Sequence, residues 1–141
     1  MIKIKRHTNL IAIRKALPLF EKLYPKKSRK EILDGLRILK KNHRYSLLIA
    51  YKDKEAVGIV GLSIGFLLYS GKYLQISSLY IDPKHRNEGI AQALFATADQ
   101  VAKAQNCEKI VLDSYVTNQE SHKTYLREDF EIKAYHFMKE L

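Results

Sequence analysis

The sequence predicts an α+β fold: a mixed, mostly antiparallel sheet flanked by about four helices. Three observations carry that expectation. Met1 to Arg6 alternates Ile with Lys and Arg in the period of a half-buried strand. Three apolar, β-rich runs between Tyr45 and Ile81 are separated only by short turn sequences, Lys52-Asp-Lys-Glu55 and Tyr69-Ser-Gly-Lys72, so they read as an antiparallel meander. The third run then passes through a short polar, basic connection into an amphipathic helix starting at Gly89.

Taken in order, Met1 to His7 is the first strand, with Ile2 and Ile4 on one face. Asn9 caps a helix whose apolar positions Leu10, Ile13, Leu17, Phe20 and Tyr24 follow helical spacing. Pro18 cannot donate inside that helix and predicts a kink or split there, and Pro25 ends it. Ser28-Arg-Lys-Glu31 is a capping box opening a second helix striped by Ile32, Leu33, Leu36 and Leu39. The meander follows as Tyr45–Tyr51, Ala56–Leu68 and Tyr73–Ile81. Gly58, Gly61 and Gly65 do not build a nucleotide loop, because no helix follows them; they predict strand bulges.

The central helix runs from Gly89 to Asn106, with Ile90, Leu94, Ala98, Val101 and Ala102 on one stripe and enough alanines to pack closely on a sheet. Lys109 to Asp113 has a wholly apolar centre and predicts a strand buried on both faces. A last helix starts at Asn118 or Gln119 and runs to about Glu128, and Phe130 to Lys139 alternates as a closing strand. The chain contains no repeats or linkers, so one domain over residues 1–141 is expected.

A hydrophobic content of 46% with 28% charged residues is ordinary for a soluble globular protein, and no apolar run spans a bilayer. The single Cys107 forbids an internal disulfide and makes a reducing cytoplasm the expected compartment. It lies in no metal-ligand or nucleophile motif, so a small buried residue is the expected role, and no metal is expected. The net charge of +10 favours anionic partners. Its denser blocks, Lys26–Lys30 and Arg37–Arg44, lack interleaved aromatics and read as solvated helix faces in preference to a nucleic-acid surface.

The chemistry concentrates in Leu79-Tyr-Ile-Asp-Pro-Lys-His-Arg-Asn-Glu-Gly-Ile-Ala91. A strand feeding a helix through such a loop aims unpaired amides at one point, which suits a phosphate. Gly89 removes a Cβ from the approach and Arg86 adds a charge. The spacing Arg86-x-x-Gly89-x-Ala91 resembles the acyl-CoA signature of the GNAT superfamily of N-acetyltransferases. Asn118-x-x-Ser121-x-x-x-Tyr125-x-x-x-Asp129-Phe130 resembles a second family pattern, with Asp129 where glycine is usual, and His136 to Leu141 resembles the usual closing strand.

This resemblance covers essentially the whole chain and implies acetyl-CoA as co-substrate and a sheet splayed at the acyl-CoA site. By position, the backbone of Leu79, Tyr80 and Ile81 would pair with the pantetheine arm. The amides of Arg86, Asn87, Glu88, Gly89, Ile90 and Ala91 would take the pyrophosphate. Asn118 would hydrogen-bond the pantetheine end, Ser121 would also be a cofactor-binding residue, and Tyr125 would stand beside the sulfur. A phenol there is chemically apt, since it can protonate the leaving thiolate. The usual strand carboxylate is missing, since Gln75, Ser77 and Ser78 stand there. A water chain, Asp113 or His136 is left as base. Asp113 also reads as a turn cap and His136 as a core histidine. The expected acceptor is a small-molecule or peptide amine, attacked directly. A tRNA-linked or protein amine, or a non-catalytic CoA-binding role, is the alternative. The resemblance leaves room for a homodimer and gives no reason to expect a membrane partner.

Overall fold

The computed structural model describes all residues, Met1–Leu141, and resolves into two compact units, Met1–Val111 and Leu112–Leu141. The first begins with β1 (Ile2–His7), whose exposed and half-buried positions alternate much as the Ile/Lys pattern requires. Asn9 then caps α1 (Leu10–Ile13), its side chain accepting from the Ile11 amide at 2.7 Å. A 3-10 turn at Arg14–Ala16 separates α1 from α2 (Leu17–Leu23). Pro18 sits in the first turn of α2, where its missing N–H costs nothing, so the expected split is present just before it. The capping box also forms: Glu31 N–H donates to Ser28 Oγ, and Ser28 N–H to Glu31 Oε1, both at 3.1 Å, opening α3 (Arg29–Asn42).

The strands β2 (Ser46–Lys52), β3 (Glu55–Leu67), β4 (Gly71–Ile81) and β5 (Lys109–Leu112) complete a five-stranded sheet in the order β1-β2-β3-β4-β5. The first three pairings are antiparallel. Lys72 and Glu108 join the beginnings of β4 and β5, with Glu108 N–H donating to Lys72 O at 2.8 Å. These two strands therefore run parallel, with α4 (Ile90–Ala104) as the crossover, and the sheet is mixed. The buried side chains of α1–α3 pack with Leu47, Ile49 and Ile59 of the sheet. The stripe of α4 is buried as predicted, with Phe95 added to it.

The ladder is irregular at two places. Between Ala50/Gly58 and Tyr51/Ala56, β3 carries the extra residue Val57. Between Ile59/Tyr80 and Gly61/Ser77, β4 takes three steps where β3 takes two, and Ser78 stands at φ 53°. The bulges expected at Gly58 and Gly61 are thus present. Gly65 is a correction: it pairs regularly with Tyr73, and its missing side chain makes room for the Tyr73 ring.

The second unit contains α5 (Gln119–Arg127). Its end is a Schellman motif: Phe130 N–H donates to Tyr125 O at 3.1 Å and Asp129 N–H to Leu126 O at 3.3 Å. Asp129 takes φ 66°, the left-handed turn expected where the family pattern has glycine.

Three sequence expectations are overturned. Residues 130–141 form no strand, because an alternating pattern supplies strand propensity but a ladder also needs a partner edge. β5 is half-buried rather than buried on both faces, since it ends the sheet order instead of lying inside it. Cys107, in the turn before β5, is only partly covered.

Candidate active site

The loop after β4 is held from both ends. Asp82 Oδ1 accepts from the Lys84 amide at 3.0 Å and caps a 3-10 turn at Pro83–His85. That amide bond, helped by the nearby Lys22, keeps the Asp82 carboxyl below its ordinary pKa against the opposing effect of burial. Arg86 turns back: its Nε donates to Ile81 O at 3.3 Å, and its guanidinium stands 5.9 Å from the Tyr80 ring centre. Glu88 receives Lys52 Nζ at 2.7 Å and lies 3.2 Å from His85 Nδ1. The Lys52 hydrogen bond holds the Glu88 carboxyl below its ordinary value.

Two left-handed residues, Asn87 at φ 64° and Gly89 at φ 78°, then swing the chain into α4. Gly89 is suited to this twice over. Its conformation favours glycine, and nothing lies within 4 Å of where a Cβ would stand. The first intrahelical bond runs from Ala93 N–H to Gly89 O at 3.1 Å, so the amides of Ile90, Ala91 and Gln92 precede the helical ladder. The Ile90 side chain is buried core and leaves only its backbone for a ligand. Free amides, an open approach and the neighbouring Lys84, His85 and Arg86 fit a pyrophosphate.

Leu79, Tyr80 and Ile81 are half-buried on β4, directly after the bulge. The bulge has a polar lining that the sequence reading missed. Tyr24 and Ser78 share a hydrogen bond at 2.7 Å between their hydroxyls. Tyr45 is buried with no partner for its hydroxyl, and a Cβ on Gly61 would stand 2.6 Å from that oxygen and 3.0 Å from Ser77 Oγ. Desolvation raises the Tyr45 phenol, so it stays a donor. Gly61 was the available signal, since a strand glycine marks a close approach as often as a bulge.

In the second unit, Asn118 stands at the N-cap of α5 but spends no side-chain bond on capping. Ser121 and Tyr125 lie one turn apart and share a side-chain hydrogen bond. Burial raises the Tyr125 phenol above its ordinary value, and the Ser121 contact partly opposes this. Its ring meets Phe130 edge-on at 6.2 Å between centroids. His136 is exposed and not a core histidine; its Nδ1 lies 3.4 Å from Asp113 Oδ2. The two residues weighed as bases are therefore neighbours.

The sequence profile of the Acetyltransferase (GNAT) family matches residues 12–130. The chain belongs to this family of acetyl-CoA-dependent N-acetyltransferases. It is 29% identical over 105 residues to the aminoalkylphosphonate N-acetyltransferase of Salmonella typhimurium, covering 74% of this chain and 67% of that one. It is 31% identical over 84 residues to an aminoglycoside N(6')-acetyltransferase type 1 of Acinetobacter haemolyticus, covering 56% of this chain and 58% of that one. Among solved structures, aminoglycoside N-acetyltransferase AAC(6')-Iy in complex with CoA superposes with a TM-score of 0.86 at 21% identity, covering 100% of this chain and 95% of that one.

Proposed function

We propose that this GNAT enzyme moves the acetyl group of acetyl-CoA to a small primary amine bearing an anionic group, by direct attack. The observation that carries the cofactor half is the start of α4: free amides beneath an open approach at Gly89, with Asn87 and Gly89 both at positive φ. In this reading the amides of Arg86, Asn87, Glu88, Gly89, Ile90 and Ala91 take the pyrophosphate. The backbone of Leu79, Tyr80 and Ile81 pairs with the pantetheine arm and polarises the thioester carbonyl. Asn118 and Ser121 border the pantetheine end. The family match runs across the sequence junction of the two units, which supports reading the chain as one domain.

The amine nitrogen bonds to the acetyl carbon, the C–S bond breaks, and the thiolate takes the Tyr125 proton. The new ammonium group loses its proton to water. No covalent enzyme intermediate is required. The raised Tyr125 phenol supports the donor role, because it remains protonated at neutral pH.

Two features support an anionic acceptor. The net charge of +10 opposes a polycation, and one relative is named for aminoalkylphosphonates. The basic helix α3 does not favour RNA, because Lys30 and Arg37 both pair with Asp34, and Arg29 pairs with Glu21. The test follows free thiol released from acetyl-CoA across aminoalkylphosphonates, acidic peptides and aminoglycosides. Turnover confined to aminoglycosides would refute the acceptor class, and no turnover with any amine would leave a CoA-binding module. Acetyl-CoA at ~100 times its dissociation constant should add about 2.7 kcal/mol of stability, a melting shift of roughly 5–10 °C. No shift would sink the cofactor reading.

A further inference from the structure

We propose that the turn between β3 and β4 is a membrane-docking tip: Leu68 and Tyr69 enter the surface of an anionic bilayer, and neighbouring lysines and arginine meet its headgroup phosphates. The run Ile64-Gly-Phe-Leu-Leu-Tyr69 carries no charge. Burial along β3 falls away as this run is reached: residues 57–62 are buried, 63–65 half-buried, and Phe66 and Leu67 exposed. Leu68 is 96% exposed and Tyr69 89%, so nothing in the unit Met1–Val111 covers them. A hairpin turn ordinarily takes Gly, Asn, Asp or Ser at its centre. Here Ser70 N–H donates to Leu67 O at 3.0 Å, which puts Leu68 and Tyr69 at the two central positions. Gly71 meets the turn's need for a left-handed residue, at φ 86°, so turn chemistry does not call for the two apolar side chains. Consecutive exposed apolar residues at such a place mark a contact surface.

The hairpin projects, and the fold gathers positive charge beside it. β2 pairs with β3 only as far as Ser46 opposite Leu62, whereas β3 and β4 pair on to Leu67 opposite Gly71. Ile64 N–H donates to His43 O at 3.3 Å, which brings the end of α3 to the hairpin, with the exposed Lys40, Lys41 and Arg44. Arg44 donates to Gln105 Oε1 at 3.2 Å and Lys72 Nζ donates to Gln105 O, which adds the end of α4 with its exposed Lys103. Lys109 follows at the start of β5. Glu108 is the acid at this end, and its carboxylate accepts from Lys72 N–H at 3.1 Å. The tip is therefore apolar and its surroundings basic.

That combination selects the occupant. An anionic lipid surface offers hydrocarbon to the tip and phosphate to the cations. A second copy would set basic charge against basic charge, since the chain carries +10. RNA would satisfy the cations but offers the tip only base faces to stack on, which Leu67 and Leu68 cannot use. No helix is long and apolar enough to cross a membrane, and the mode proposed is shallow insertion of one turn. The tip stands about 30 Å of extended strand before Ser78, and the loop that feeds α4 follows the opposite end of β4. Docking through the tip thus leaves both the bulge and that loop uncovered.

The experiment is flotation of the full chain with vesicles of phosphatidylcholine alone and of an equimolar mixture with phosphatidylserine. Binding to the mixed vesicles, weakened by salt, is the expected result, with little binding to phosphatidylcholine alone. Leu68→Ser with Tyr69→Ser changes exposed turn positions, so it should keep the parent melting temperature and bind the mixed vesicles ~10-fold less or weaker still. Lys40→Gln with Lys41→Gln should lower binding about fivefold for each lysine. The chain has no tryptophan, so Leu68→Trp supplies a single reporter, whose emission should shift to the blue on the mixed vesicles. No binding to the mixed vesicles at low salt overturns the proposal, as does a reporter that does not shift on them. Binding that survives Leu68→Ser with Tyr69→Ser would be adsorption by charge alone and overturns it too. A blue shift that grows with protein concentration in the absence of lipid assigns the turn to a second copy. Poly(U) binding that the serine variant loses, without vesicle binding by the parent, assigns it to RNA, and either result overturns the proposal.

Discussion

Helices α4 and α5 each carry residues with proposed roles, yet they are built in opposite ways. α4 buries Ile90, Leu94, Phe95, Ala98, Val101 and Ala102, so its N-terminus is aimed by the core beneath it. α5 buries no residue. Around Tyr125 it makes local bonds: the Ser121 contact, the Schellman turn and the Phe130 ring. The difference teaches that the proposed phosphate-binding amides of α4 should be inseparable from fold stability, while the proposed proton donor Tyr125 should be separable from it.

The largest expected effect breaks α4 from within. Leu94 is fully buried, and Leu94→Ala should cost about 2–5 kcal/mol through lost burial and the cavity left behind. Acetyl-CoA binding should weaken along with stability, because the helix N-terminus moves with its core face. Leu126→Ala in α5, at an exposed position, should stay within about 0.5 kcal/mol of the parent protein. Chemical denaturation of the two variants checks the contrast. Equal losses would show that α5 is anchored as firmly as α4.

The next effect is on rate and not on stability. Tyr125→Phe keeps the ring and its edge contact with Phe130 but removes the donor. It should lower kcat by ~100-fold. The melting temperature and the acetyl-CoA dissociation constant should change little. Proton transfer from a phenol to a thiolate is uphill at ordinary values, ~10 against ~8.5, and burial of Tyr125 steepens it. The gain should therefore be moderate. An unchanged kcat, with chemistry rate-limiting, would reduce Tyr125 to packing.

The same contrast explains what the sequence disclosed. Periodicity reports a core face, so the stripe Ile90, Leu94, Ala98, Val101, Ala102 was legible, as were the caps at Asn9 and Ser28. Asp129 was legible as a left-handed position because the turn chemistry is local. The fate of 130–139 was not, because propensity marks a strand without naming its partner edge. Likewise the apolar centre of β5 reads as deep burial whether or not another strand covers it. The Tyr24–Ser78 contact joins residues far apart in the chain, across a bulge whose position follows from pairing register, and no single-sequence pattern records that. The Asp113–His136 pair was anticipated only as two separate candidates.

A smaller effect sharpens the view that α5 depends on local bonds. Asp129→Gly removes a side chain from a left-handed position, where an L-residue costs about 1 kcal/mol. The variant should be more stable by up to that amount, less the entropy that glycine adds to the unfolded chain. The gain should appear as added hydrogen-exchange protection at Phe130 N–H, which closes the motif. A loss of stability would mean that the Asp129 carboxylate holds the turn through its own contacts.

The smallest effect tests the loop that feeds α4. Glu88 is partly exposed and bonded to Lys52, so solvent and salt screen the pair and its contribution is modest. Its sign with pH is nevertheless fixed. The Lys52 hydrogen bond lowers the Glu88 pKa from its ordinary 4.5 in the folded state. Between the unfolded and folded values the unfolded chain binds more protons, so stability rises with pH there. The contribution is complete above 4.5 and disappears as pH falls through the lower, folded value. Glu88→Gln cannot ionise and lacks this dependence. The melting temperature of the parent protein should therefore exceed that of Glu88→Gln at pH 7, and the difference should shrink on acidification below 4.5. High salt should shrink it at neutral pH as well. A difference that is constant with pH would show that the loop is held by Arg86 and Asp82, with the Lys52–Glu88 pair contributing nothing measurable.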